Sequence, residues 1–209
     1  MLAGEGEQMV DVYLSPSVQD WNIGYGDYGT EEQRMNLVAD VVGYELERLG
    51  ISYIRNSPEM RLQEVVTESN AANPAIHVAI HSNAANGNAR GAEVYAHRFG
   101  GDSERLARDI YAQLEPITPA NDLGVKEGYT AFNGQGYYEL RRTSAPAVLV
   151  EVSFHDNPQD AQFIIENTVE IGIAIAKGIA EYLGIPWTPD SPEDLAALRQ
   201  LYNNRYFTD

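Results

Sequence analysis

Cysteine is absent from the 209 residues, which excludes a disulfide-stapled scaffold and any thiolate-held metal. Cations are scarce. There are 14 Lys and Arg against 31 Asp and Glu, a formal net charge of −17. Such a chain repels nucleic acid and anionic membranes, so neither is expected as a partner. No apolar run approaches the roughly 18 residues of a membrane-spanning helix, and no charged-then-apolar leader opens the chain. Residues 1–8 read as a tail, with Met9 a candidate start. No internal repeat or low-complexity tract is seen. Histidine is limited to four: His77, His81, His97 and His155.

What is present is organised around Pro146 to Asn157, PAVLVEVSFHDN. Val148, Leu149 and Val150 form a buried β run, and Glu151 stands where another apolar residue would be expected. A carboxylate in such a strand is costly to bury unless it is paired or metal-bound. The strand must stop before Asn157-Pro158-Gln159-Asp160, which reads as a helix start: N-cap Asn, Pro at the first helical position, acid in the first turn. Glu151 and His155 therefore flank the carboxyl end of a strand, where open α/β sheets place their ligands.

The rest of the chain alternates strands and helices. Val10–Leu14 is a short strand, and residues 15–29 form a Gly-rich loop longer than usual connections, hence a functional-loop candidate. Thr30 caps a helix, with Gln33 closing a capping box. Ile51–Arg55 is a strand, Pro58–Ala72 a helix, and Ala75–Ile80 a central parallel strand, apolar on both faces. Gly91–His97 is a strand, Ser103–Leu114 a helix, and Gly124–Gly136 a loop leading into a strand around Tyr137–Leu140. Residues 157–183 form one long helix or two. The pattern predicts an α/β three-layer sandwich, with a mostly parallel mixed sheet of about six strands and helices on both faces. Residues 9–185 form the expected catalytic domain. Residues 186–209 are a linker and short helix, expected to pack on it.

His77 and His81 have the spacing of a helical zinc pair, but HVAIH reads as a strand and lacks the HExxH glutamate. In a strand, positions four apart lie ~13 Å from one another, so one ion cannot take both. His77 reads as a hydrogen-bonded core residue, His81 as a strand-end site residue and His97 as a surface residue. Glu31 and Glu32 open a helix, where acids suit the dipole. Asn83, two residues past His81, can hold a ligand in place or bind a substrate carbonyl.

These residues fall into an order. Glu32-Gln-Arg-Met-Asn36-Leu37 is followed by His81-Ser-Asn83-Ala84, then Gly91-Ala-Glu93, Leu140-Arg141 and Pro146 to Asn157. In that order the chain resembles the zinc-dependent N-acetylmuramoyl-L-alanine amidases of bacterial autolysins, sporulation hydrolases and phage endolysins, over about residues 10 to 185. The resemblance implies hydrolysis of the amide between N-acetylmuramic acid and L-alanine in peptidoglycan. It implies Zn2+ held by Glu32 and His81, Glu151 as general base, and Asn83 and Arg141 on the substrate side. A zinc ion lowers the pKa of a bound water and polarises the carbonyl.

One departure stands out. The family's first histidine should follow Pro16, and the chain reads Ser17-Val18-Gln19. His155, beside Glu151, is the expected replacement, because imidazole is a preferred zinc ligand. Gln19 is the other candidate. A non-catalytic, peptidoglycan-binding regulator on the same fold is the second functional expectation, and a different zinc amide hydrolase such as a carboxypeptidase the third. Expected otherwise are a monomer, peptidoglycan as partner, and an extracellular or wall-associated location.

Overall fold

The computed structural model describes residues 10–120 and 122–207. The proposed tail and Met9 lie outside the described residues. Six strands form one sheet in the order β2-β1-β3-β6-β4-β5. They are β1 (Val12–Pro16), β2 (Tyr53–Arg55), β3 (Ile76–Asn83), β4 (Glu93–Ala96), β5 (Val125–Glu127) and β6 (Ala147–Phe154). Every pairing is parallel except β4 against β6. The mostly parallel mixed sheet expected from the sequence is therefore found, with β3 and β6 at its centre.

Strand alternation sorts the two faces. Val78, Ile80, Val148, Val150 and Val152 belong to the larger core. It is roofed by α1 (Glu31–Arg48), α3 (Asp102–Leu114) and α7 (Thr168–Leu183). Ala79, Ala147 and Leu149 face the other way, under Leu140 and Tyr137. That face carries α2 (Leu62–Ala72) and α5 (Tyr138–Arg142), which pack on each other. Helices thus cover both faces. α7 approaches its neighbours closely because two glycines allow it. A Cβ on Gly178 would stand 2.4 Å from the Ile110 Cα, and one on Gly172 would stand 2.6 Å from Val41.

Two sequence expectations are corrected. The stretch around Tyr137–Leu140 is not a strand but the one-turn helix α5. The sixth strand is Val125–Glu127, inside the segment expected to be loop. Apolar residues at Tyr137 and Leu140, three apart, serve a helical turn lying on the sheet better than a strand within it. After β5 comes a single distorted turn, α4 (Ala131–Gly134), in which Phe132 and Asn133 take left-handed backbone, φ 50° and 57°.

Other signals hold. Thr30 caps α1 with Gln33 completing the capping box. Asn157 caps α6 (Pro158–Glu166), accepting from the Gln159 and Asp160 amides, and the long helical tract divides into α6 and α7 at Asn167. The last helix, α8 (Pro192–Tyr202), buries Leu198 against Val41 and Val169. Beyond it the chain returns to the 15–29 loop. The Phe207 amide donates to the Asp27 carbonyl, 3.1 Å, and its ring lies 4.9 Å from the Arg34 guanidinium.

Candidate functional site

α1 and α2 pack on opposite faces of the sheet, so the carboxyl ends of β1, β3 and β6 lie at a switch point of the strand order, the usual ligand position in such sheets. Cross-strand register brings His81 on β3 beside Glu151 on β6, and Glu151 beside Glu93 on β4. The β3–β6 register slips between His81 and Asn83, a bulge of the kind that re-aims side chains next to sites.

The carboxylate that reaches His81 is Glu31. Its Oε1 accepts from His81 Nδ1 at 2.7 Å, and it is 1% exposed. Glu32, the expected ligand, turns away. It accepts from Asn36 Nδ2 at 3.0 Å and lies half-buried near Asp20 and Glu59. Helical phase separates the two. Glu31 shares the buried stripe of Met35, Val38 and Val42, whereas Glu32 shares the polar stripe of Asn36 and Asp40.

His155 is fully buried, with both ring nitrogens engaged. Nε2 meets Asn22 Oδ1 at 3.1 Å, and Nδ1 meets Ser82 Oγ at 2.8 Å. Asn22 in turn donates from Nδ2 to Glu31 Oε2 at 2.6 Å, and Tyr28 OH lies 2.6 Å from Ser82 Oγ. An amide oxygen only accepts, so Nε2 carries the proton and Nδ1 accepts from Ser82. Every donor from Tyr28 onward then points toward Glu31. Burial holds the His155 pKa below its ordinary value, in keeping with a neutral ring. His155 therefore meets Glu31 through Asn22.

A second buried network underlies His81. Glu139 on α5 accepts from Ser15 Oγ and pairs with His77 Nε2 at 2.8 Å. His77 Nδ1 meets Ser69 Oγ at 2.9 Å, and its ring stacks on Tyr13. His77 is thus the satisfied core residue its position suggested. The other Glu139 oxygen stands 3.9 Å from His81 Nε2. The sequence gives no sign of Glu139, because Tyr-Glu-Leu reads there as a strand. Asn22 carries no signal either, since nothing about an Asn in a loop marks it.

The electrostatics follow from three buried carboxylates around one imidazole. Burial alone would depress the His81 pKa, but the Glu31 hydrogen bond and the charges of Glu31, Glu151 and Glu139 raise it to about 9. Burial pushes Glu31 up, but the His81 hydrogen bond and charge together with the Asn22 hydrogen bond hold it below its ordinary value. Glu151 is pushed up to about 8, chiefly by burial, and its Oε2 is buried without a partner. The neighbouring Glu93 is satisfied by Asn83 Nδ2 at 2.7 Å, Tyr95 OH at 2.9 Å and an ion pair with Lys126. Asn83 is thereby committed to Glu93 and to its own neighbour, the Ala84 amide. Arg141 lies exposed on α5, over the Tyr138 ring at 5.5 Å. Gln19 is half-buried, and its carbonyl accepts from the Asn22 and Glu32 amides. His97 is partly buried rather than a surface residue, with a buried Nδ1.

Do these residues suit a metal? Glu31 and His81 present one oxygen and one nitrogen to each other, and the unpartnered Glu151 oxygen stands close by. That fits two protein donors of a zinc site with a base beside it. Among the described residues no three His, Cys, Asp or Glu side chains are grouped to hold an ion. Among the described residues, Glu139 and Glu151 lie near His81 but are not grouped with Glu31 and His81 as a third donor.

A family model described as N-acetylmuramoyl-L-alanine amidase matches residues 16–181. The chain is 30% identical to the uncharacterised YqiI of Bacillus subtilis (strain 168) over 179 residues, 82% of this chain and 84% of that one. It is 28% identical to the amidase LytC of the same organism over 157 residues, 72% of this chain but only 30% of LytC. Among solved structures, the catalytic domain of CwlV, an amidase from Bacillus (Paenibacillus) polymyxa var. colistinus, superposes with a TM-score of 0.74 at 23% identity. That match covers 85% of this chain and all of that domain. AmiC2 of Nostoc punctiforme gives 0.73 at 22%, over 86% and 99%. At these identities the structural likeness is one of fold.

Proposed function

The chain belongs to the N-acetylmuramoyl-L-alanine amidase family, peptidoglycan hydrolases of cell-wall degradation that are generally zinc-dependent, and we propose that its own site is the crevice around His81, with Glu151 as general base. The observation that carries this is the buried Glu151 carboxyl, with one oxygen unpartnered, beside the Glu31–His81 pair. The substrate is the amide joining the lactyl group of N-acetylmuramic acid to L-alanine.

Glu31 and His81 would hold the zinc, which when bound acidifies water and polarises the scissile carbonyl. Gln19, on the loop beside them, is the candidate third ligand. His155 acts instead as a positioning residue, since it orients Asn22 and through it the Glu31 carboxylate. Glu151 takes a proton from the attacking water and returns it to the leaving alanine nitrogen, so that the C–N bond breaks to a lactyl carboxylate and a free amine. For this it must start ionised. Burial, helped by the charges of Glu31 and Glu93, holds its pKa up at about 8, and a cation bound next door would lower it. Peptidoglycan amidases act in the wall space, and we infer that location here. No helix among the described residues is long and apolar enough to cross a membrane.

The test is to incubate the protein and Glu151→Gln with purified peptidoglycan and follow new alanine amino termini and new reducing ends separately. Release of alanine termini, cut by about 10²-fold or more in the variant, is expected for loss of a general base. New reducing ends in place of amines would mean glycosidic cleavage. Binding with neither product would mean a non-catalytic peptidoglycan binder.

A further inference from the structure

The loop after β1 presents two faces. Its inward residue Asn22 is tied to Glu31 and His155. Trp21, Ile23 and Tyr25 alternate with it and point outward, 70%, 66% and 57% exposed. They are among the most exposed large apolar side chains of the described residues, and they stand at every second position of one short stretch. An exposed contiguous apolar patch marks a recognition surface more often than a scatter of single residues does.

The ridge is also held in place. Ile23 bridges to Thr30, the Gly24 amide donates to the Gly29 carbonyl at 2.9 Å, and the Tyr25 amide donates to the His155 carbonyl at 2.8 Å. Phe207 pins Asp27 from outside. Three apolar side chains are thus kept in water on an ordered backbone, within three residues of Asn22, which touches Glu31. A pre-ordered surface loses little conformational freedom when a ligand covers it.

We infer that this ridge seats the glycan strand of the substrate, with sugar rings laid across Trp21 and Tyr25; the inference rests on the amidase reading of the same crevice. The cleaved amide lies one lactyl group from a sugar ring, so a sugar must sit close to Glu151. The ridge carries no cation, and the acids Asp20 and Asp27 flank it. Those acids repel the carboxylates of a stem peptide but can accept hydrogen bonds from sugar hydroxyls. The flat C–H faces of neutral acetamido sugars suit exposed aromatic rings. The stem peptide then leaves on the other side of β6, toward β4 and β5, where Lys126 stands.

The experiment uses Glu151→Gln protein, so that nothing is consumed, with two probes: a neutral oligomer of β-1,4-linked N-acetylglucosamine as the glycan, free of the lactyl carboxylates that peptide-stripped strands expose, and free stem peptide. The chain has two tryptophans. Trp187 lies beneath Arg48 and Lys177, so a Trp187→Phe background leaves Trp21 as the reporter. A saturable fluorescence shift with glycan and none with stem peptide is expected. Trp21→Ala and Tyr25→Ala, followed by calorimetry with Trp187 intact, should each bind glycan about tenfold more weakly, the scale of one lost aromatic contact. The inference is overturned if glycan gives no shift, if stem peptide gives it instead, or if both alanine variants bind glycan normally. Sedimentation in which Trp21→Ala converts a dimer to a monomer would also overturn it, since the ridge would then join two copies. Cleavage of peptidoglycan without glycan binding would sink this inference alone. Glycan binding without cleavage would sink the amidase reading and leave the ridge.

Discussion

At the residue scale, two adjacent glutamates divide between the site and the surface. Glu31 lies on His81, and Glu32 lies on Asn36. Glu31→Ala is expected to lose bound zinc and amidase activity, while Glu32→Ala keeps both; elemental analysis and the alanine-release assay would check this. A zinc-free Glu32→Ala with a loaded Glu31→Ala would reverse the assignment. Protonation gives a second expectation. In chelator, folded Glu151 and His81 hold protons up to about 8 and about 9, whereas the unfolded groups release them near 4.5 and 6.5. The folded state then binds more protons across that window, so stability falls as pH rises from 5 to 9. Glu31 and Glu139 have depressed pKa values, and what they contribute is lost only on acidification. The urea midpoint of the metal-free protein should be lower at pH 9 than at pH 6, and Glu151→Gln should flatten that decline. An unchanged slope in the variant would remove Glu151 as its source.

At the element scale, α7 is the helix on which the larger core depends. It crosses α3 and α1 at contacts that only glycine permits. Gly178→Ala would drive a methyl into the Ile110 backbone and should cost about 1–3 kcal/mol, the usual price of overpacking, although alanine is the better helix former. Thermal unfolding measures the balance, and a neutral or stabilising result would mean that α3 can move away. The short helix α5 matters differently. It places Glu139 beneath His81 and so builds part of the site floor.

At the scale of the whole molecule, the net charge of −17 sets how the protein meets a cell wall. Walls rich in anionic polymers repel it, and salt screens that repulsion. Co-sedimentation with such walls is therefore expected to rise as ionic strength goes from about 10 mM, with a Debye length of ~30 Å, to about 150 mM, where it is ~8 Å. A basic wall-binding protein would do the reverse. Binding that falls with salt here would point to a local cationic patch stronger than the overall charge.

The residue pattern is enough to read the alternation of strands and helices outside residues 125–140, the caps at Thr30 and Asn157, the central place of β3 and the burial of a carboxylate at Glu151. These are legible because periodicity, capping and the cost of a buried carboxylate are local or depend on composition alone. The phase of α1 is legible too, since Glu31 repeats with Met35 and Val38, whereas the ordered motif begins one residue along, at Glu32. Only the tertiary structure decided the partners. His155 follows Glu151 by four residues, yet its ring turns to Ser82 and Asn22, because the end of β6 points it toward the 15–29 loop. Glu139 meets His77 and Ser15 only when a one-turn helix folds back over the sheet. Contacts between residues 62 to 133 positions apart follow from how elements pack, and no spacing along the chain encodes them.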